Sequence, residues 1–140
     1  MPAPPGRIVC FGEAMLRESG GMITPGGAEF NVACALARIG TTSAWVSVLP
    51  EDETMIQSAA DDANVHLEIQ LSKRDIGRYT IDSATRSVVY DRKDSGFAHL
   101  NPRDFDWRAL LSGARWLVLS GITPLLGEGP RSAWGGALTF

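Results

Sequence analysis

Between Arg7 and Leu49 the chain alternates two strand-like apolar runs with one helical run, and this order limits its possible folds more than any other feature. Arg7 to Phe11 is a short apolar run closed by Gly12, the pattern of a strand covered on both faces. Glu13 to Leu16 extends it, and Glu18 to Gly27 reads as a glycine-rich loop. Ala28 to Ile39 then reads as a helix, with Ala28, Val32, Ala35, Leu36 and Ile39 on one continuous face and Gly40 as its stop. Ser43 to Leu49 is the next strand. A strand–helix–strand order of this kind predicts a parallel pair joined by a right-handed crossover, hence an α/β fold with a doubly wound, mostly parallel sheet.

Further along, Glu51 to Asn64 reads as a weaker helix with Met55, Ile56 and Ala59 on its apolar side. His66–Leu71, Tyr79–Ile81 and Arg86–Tyr90 each alternate polar with apolar residues. Alternation marks strands with one wet face, and their succession predicts a small antiparallel β-flap, or lid, over about residues 66–92. Asp106 to Ala114 reads as a short helix, Arg115 to Leu119 as a buried strand, and Pro130 to Phe140 as a helix with proline in its first turn. A crossover helix should lead to another strand, so residues 1–140 are expected to form the amino-terminal part of a domain whose carboxy-terminal half is missing.

Composition excludes several classes. The chain has 140 residues, a net charge of −3, and 44% hydrophobic and 21% charged residues, which suits a globular core and not a disordered chain. No basic block offers a surface for phosphates, so nucleic acid is not an expected partner. No apolar run is long enough for a membrane span or a signal peptide, so a cytoplasmic location is expected. Cys10 and Cys34 lie in apolar runs and read as buried free thiols. No Cys/His cluster predicts a metal site. His66 and His99 are isolated and read as surface or turn residues; Trp45 and Trp116 read as core.

Chemistry concentrates at Gly26-Gly-Ala-Glu-Phe-Asn31, which runs straight into the helix. Two glycines let a ligand approach the backbone, and free N–H groups at a helix start, with the Asn31 amide, can hold hydroxyl or carboxylate oxygens. The alternative is a tight turn with Asn31 as a helix cap.

Gly26 to Gly40 resembles the first signature of the ribokinase/PfkB carbohydrate kinases. Phe11-Gly-Glu-Ala-Met-Leu-Arg17 is similar to the opening strand of 2-dehydro-3-deoxygluconokinases. Ser43–Ser47, Val88-Val-Tyr-Asp-Arg92, Phe105-Asp-Trp107 and Ser120-Gly-Ile-Thr-Pro124 are similar to that subgroup in the same order. The resemblance spans nearly the whole chain and implies a ribokinase-like fold. It implies that Gly26, Gly27 and Asn31 face the sugar, with Glu13 nearby and Tyr79 lining the pocket. It also implies that Arg92 grips the carboxylate of a keto-deoxy-sugar acid, as a planar guanidinium can do through two parallel bonds. On the residues alone, Arg92 could instead pair with Asp91 or Asp94, and Tyr79 could be a cross-strand packing residue.

The resemblance implies ATP and Mg as cofactors of the complete enzyme, a small sugar or sugar acid as substrate, and a homodimer formed through the lid. Its phosphoryl-transfer half, an Asp-x-x-Gly-Ala-Gly-Asp stretch carrying the catalytic aspartate, does not occur in these residues. No catalytic residue is therefore assigned, no cofactor is expected for this chain alone, and the chain alone is expected to be inactive. Leu16–Gly26 and Tyr79–Val88 look shorter than the family pattern, and Glu51–Val65 lacks its usual glycines.

Overall fold

The computed structural model describes residues 2–140. Its main sheet has four parallel strands: β1 (Ile8–Phe11), β4 (Ser43–Pro50), β5 (His66–Ser72) and β8 (Trp116–Val118), in the order β5-β4-β1-β8. Every residue of β4 is buried, as expected for an inner strand flanked by β1 and β5 and covered on both faces. One face of the sheet packs on helices α1 (Ala28–Arg38) and α2 (Met55–Ala63), with Cys10, Trp45, Leu49, Phe30, Cys34 and Ile56 in the core. The other face carries Val9, Phe11, Val46 and Val48 against α3 (Trp107–Leu111), α4 (Glu128–Leu138) and the Ser95–Leu100 turn. Phe11 is the centre of that side, with ring centroids 5.5 Å from Phe97, 5.6 Å from Phe105 and 4.9 Å from Trp107.

The remaining strands, β2 (Met15–Ser19), β3 (Met22–Gly26), β6 (Gly77–Ile81) and β7 (Val88–Asp91), form the lid sheet in the order β3-β2-β6-β7. It consists of two antiparallel hairpins joined by a parallel seam between β2 and β6. Gly20 and Gly21, at φ 57° and 78°, turn the first hairpin. Two successive positive-φ residues give the turn whose twist matches paired strands.

Several expectations need correction. His66–Leu71 is not a lid strand: β5 pairs in parallel with β4 from Ala44↔His66 to Pro50↔Ser72. Its alternation reflects the edge of the main sheet, where Leu67 and Ile69 pack partly against the core while Gln70 and Leu71 are exposed. The supposed loop from Glu18 to Gly27 is mostly the β2–β3 hairpin, so the short Leu16–Gly26 stretch still carries its own strand. The buried side of α1 is Phe30, Ala33 and Cys34, with Leu36 and Ala37 partly covered, while Val32 and Ile39 are exposed. On α2 the buried residues are Ile56, Ala60 and Ala63, and Met55 is exposed. Trp45 is in the core, but Trp116 is 66% exposed, because β8 is the sheet edge beside β1.

Local signals explain the element ends. Asp106 caps α3 by accepting from the Ala109 N–H at 3.2 Å. Asn64 closes α2 in the left-handed conformation at φ 69°, a role asparagine fills when glycine is absent. Gly40, at φ 86°, follows α1 as the sequence predicted. The buried Arg7 ties the start of β1 to the end of α3, donating to the carbonyls of Leu110 at 2.6 Å and Ser112 at 3.0 Å.

Candidate functional site

The lid meets the main sheet over a cavity of about 560 Å³ at the amino end of α1. Glu13, Gly27, Asn31, Tyr79 and Arg92 all line it, so five of the six residues singled out from sequence come together in space. Gly26 stands just outside. A Cβ there would strike the Tyr79 side chain, so its bareness lets the Tyr79 ring lie against the backbone.

Each side chain is placed by its element. Gly27 is the residue before α1, at φ 128° and ψ 131°, and its Cα packs on the Glu13 and Ala14 backbone. Asn31 does not cap α1; the cap position is Gly27, and no side chain bonds to the first-turn N–H groups. Those donors and the exposed Asn31 amide are therefore available to a ligand. Tyr79 on β6 and Tyr90 on β7 are register partners, their rings 5.5 Å apart, and both border the cavity.

Arg92 follows β7. It pairs neither with Asp91 nor with Asp94 but with Glu13, its Nη2 lying 2.8 Å from Oε1 and its Nε donating to the same oxygen at 2.9 Å. Ser95 donates to Glu13 Oε2 at 2.6 Å. The guanidinium also lies 5.5 Å from the Tyr90 ring centroid, within cation–π range. Burial drives the Glu13 carboxyl above its usual range, and Glu29 adds to the rise, while Ser95 and Arg92 pull the other way.

Sequence reasoning missed a second acid. Glu29, in the first turn of α1, is 3% exposed and lines the cavity. It accepts from the hydroxyl of Ser120, and the Thr123 hydroxyl lies 3.5 Å away. Gly12 makes its space, since a Cβ at residue 12 would overlap the Glu29 carboxylate. The signal was an acid inside a run of small and apolar residues, with Ser120 and Thr123 two hydroxyls in the Ser-Gly-Ile-Thr-Pro stretch. Tyr90 and Ser95 were also missed, although Tyr90 stands inside the matched Val-Val-Tyr-Asp-Arg stretch.

The cavity thus combines aromatic walls, one guanidinium, one amide, free helix-start N–H groups and two buried carboxylates. Such a set can grip a small polyhydroxylated molecule with an anionic end. It does not fit a metal–nucleotide complex. Among the described residues no group of three or more His, Cys, Asp or Glu side chains could hold a metal ion, and Arg92 is the one cation lining the cavity. Among the described residues no helix is long and apolar enough to cross a membrane.

Comparison with known proteins yields the following similarities. The pfkB family carbohydrate kinase model matches residues 3–132. The chain is 31% identical to a 2-dehydro-3-deoxygalactonokinase of Haloferax volcanii over 91% of its own length and 46% of that protein's. Among solved structures, 2-dehydro-3-deoxygluconokinase of Thermotoga maritima superposes with a TM-score of 0.86 at 36% identity, covering 96% of this chain and 47% of that one. A fructokinase of Vibrio cholerae with fructose, ADP and calcium bound shares the fold, with a TM-score of 0.80 at 24% identity over 96% of this chain and 46% of that one. The chain spans about half the length of each of these relatives.

Proposed function

Because the chain belongs to the pfkB family of carbohydrate kinases, we propose that the cavity under the lid is the sugar side of a kinase site. In the whole enzyme it would hold 2-dehydro-3-deoxygluconate or a related sugar for phosphorylation by ATP with Mg. The observation that carries this reading is the presence of Arg92 in a cavity shared with Gly27, Asn31, Tyr79 and Tyr90. A guanidinium among hydroxyl-binding groups suits a sugar that carries a carboxylate better than a neutral sugar.

In this reading Gly27 lets the sugar approach the first turn of α1, where backbone N–H groups and the Asn31 amide bind its hydroxyls. Tyr79 and Tyr90 cover the sugar from the lid and exclude water. Gly26 gives Tyr79 its place. The lid is formed by residues 15–26 and 77–91, and residues 1–140 make up the amino-terminal part of the kinase domain. No transfer step is assigned to the residues present, because no Gly-Ala-Gly-Asp segment occurs among them to supply a catalytic aspartate and anion-binding amides. By themselves they would act as a sugar-binding unit. A homodimer through the lid belongs to the same proposal, with Ile23 and Val89 exposed on lid strands.

Titration calorimetry of the 140-residue protein with 2-dehydro-3-deoxygluconate, D-fructose and D-ribose tests the assignment. The sugar acid is expected to bind most tightly, with no further heat from Mg-ATP and no turnover in a coupled assay. Tighter binding of a neutral sugar, or no binding of any, refutes the substrate assignment; turnover above background refutes the absence of transfer.

A further inference from the structure

Glu13 was expected near the sugar, yet in the structure both of its oxygens face protein donors. Oε1 accepts from Arg92 Nε at 2.9 Å and lies 2.8 Å from Nη2, and Oε2 accepts from Ser95 Oγ at 2.6 Å. Its side chain is only 2% exposed. A carboxylate so enclosed has little left to offer a ligand. Arg92 is in the opposite position. Nε and Nη2 point at Glu13, while Nη1 has no protein acceptor among the described residues, and the side chain lines the cavity.

A guanidinium is planar and its donors have fixed directions, so holding one edge sets where the other edge points. The support behind Glu13 is also fixed. Ser95 Oγ accepts from the Ala98 N–H at 3.1 Å, closing its own turn. Gly77 backs the pair, where a Cβ would lie 2.8 Å from Glu13 Oε2 and 3.2 Å from Arg92 Cβ. Glu13 follows β1, Arg92 follows β7 and Gly77 opens β6, so the pair joins the end of β1 to the β6–β7 hairpin of the lid.

We infer that Glu13 is a positioning residue and not a sugar ligand: with Ser95 and Gly77 it holds one edge of Arg92 so that the other edge meets the anionic group of the substrate. The inference rests on the reading of the cavity as a sugar-acid site. Charge alone would argue against Glu13, because it cancels the positive charge that Arg92 brings. Its value to the site must therefore be geometric.

That contrast defines the test. Glu13→Asp keeps the charge and withdraws the carboxylate by one methylene; Glu13→Gln keeps the length and an acceptor oxygen but removes the charge. Calorimetry measures the affinity of each for 2-dehydro-3-deoxygluconate and for D-fructose, and ¹⁵N NMR follows the Arg92 Nε–H of the ligand-free protein. Glu13→Asp is expected to weaken sugar-acid binding by about tenfold or more, the worth of a misdirected charge-assisted hydrogen bond. Binding of D-fructose stays unchanged, and the Nε–H signal loses its protection from exchange. Glu13→Gln loses less. Should Glu13→Asp not fold, Ser95→Ala, which releases Oε2 alone, gives the same split at smaller size. Equal losses for both sugars, or wild-type affinity in Glu13→Asp, overturn the inference. If the wild type binds no sugar acid, the substrate reading fails by itself. The Nε–H signal then still decides, since an unprotected Nε–H in the wild type overturns the positioning role and a signal lost only in Glu13→Asp supports it.

Discussion

Replacing Gly27 with alanine probes the joint between the first strand and the first helix. Gly27 sits at φ 128° and ψ 131°, a backbone region open to glycine and strained for every other residue. An added Cβ would also overlap the carbonyl oxygen of Glu13 and lie 3.0 Å from the Ala14 Cα and 3.3 Å from the Glu13 carbonyl carbon. All three are backbone atoms, so no rotamer change relieves the overlap. The strained conformation costs about 1–3 kcal/mol. Overpacking of a buried joint costs about 1–3 kcal/mol more. The sum, roughly 2–6 kcal/mol, corresponds to a fall in Tm of roughly 6–24 °C at about 3–4 °C per kcal/mol for a domain of this size. Two other glycines separate the causes. Gly21, at φ 78°, has no atom within 4 Å of an added Cβ, so Gly21→Ala carries strain alone and costs about 1 kcal/mol. At Gly26 the Cβ meets the Tyr79 ring, which can tilt, so Gly26→Ala should cost sugar affinity more than stability. Scanning calorimetry on the three variants and the wild type is the assay. A Tm for Gly27→Ala equal to that of Gly21→Ala would refute the overlap argument.

Two further outcomes are expected. Burial, with help from Glu29 and Cys34, pushes the Cys10 thiol up to about 12, and burial also raises Cys34. Neither thiol should react with a disulfide reagent in the folded protein, and both should react on unfolding in urea; a fast native-state reaction would contradict this. The folded-state pKa of Glu13 lies above the ordinary glutamate value of 4.5, so the folded form holds this proton to higher pH than the unfolded form. The penalty for burying its charge is absent below that value, sets in as pH rises, and is complete above the folded pKa. Stability from urea unfolding should therefore fall over that interval in the wild type and fall less in Glu13→Gln; parallel profiles would refute the assignment.

What the sequence made legible was the part decided by continuous burial. The run from Ser43 to Leu49 has one reading because an inner parallel strand is apolar on both faces, and β4 is buried throughout. The helix after Gly27 was visible from its small and apolar residues, but its buried side was misjudged. Val32 and Ile39 outweighed Phe30, although Phe30 packs on Trp45 at 4.7 Å between ring centroids. Periodicity finds a helix more readily than it chooses between two apolar stripes. His66–Leu71 misled for a related reason, since an edge strand of a parallel sheet alternates like a lid strand. The Gly20-Gly21 pair was read as loop, where two adjacent glycines between short runs signal a hairpin. Of the cavity lining, Gly27, Asn31 and Arg92 were singled out in the sequence through the stretches that carry the family resemblance. Glu29 was not, because its partners Ser120 and Thr123 are remote in sequence and only the fold brings them together.

The seam of the lid has a consequence for how the chain acquires its shape. Each lid hairpin is local, but the bonds that make one sheet of them pair Met15 with Gly77 and Ser19 with Ile81, far apart along the chain. A lone two-stranded hairpin is barely stable in water. The seam must also await closure of the long loop that holds α1, β4, α2 and β5, and the entropy of that closure is offset only once those elements have packed. By loop length alone the seam is expected to close after the more local β1–β4 and β4–β5 pairings and before β8 joins β1. The same dependence predicts faster amide hydrogen exchange at the β2–β6 seam than in the fully buried β4.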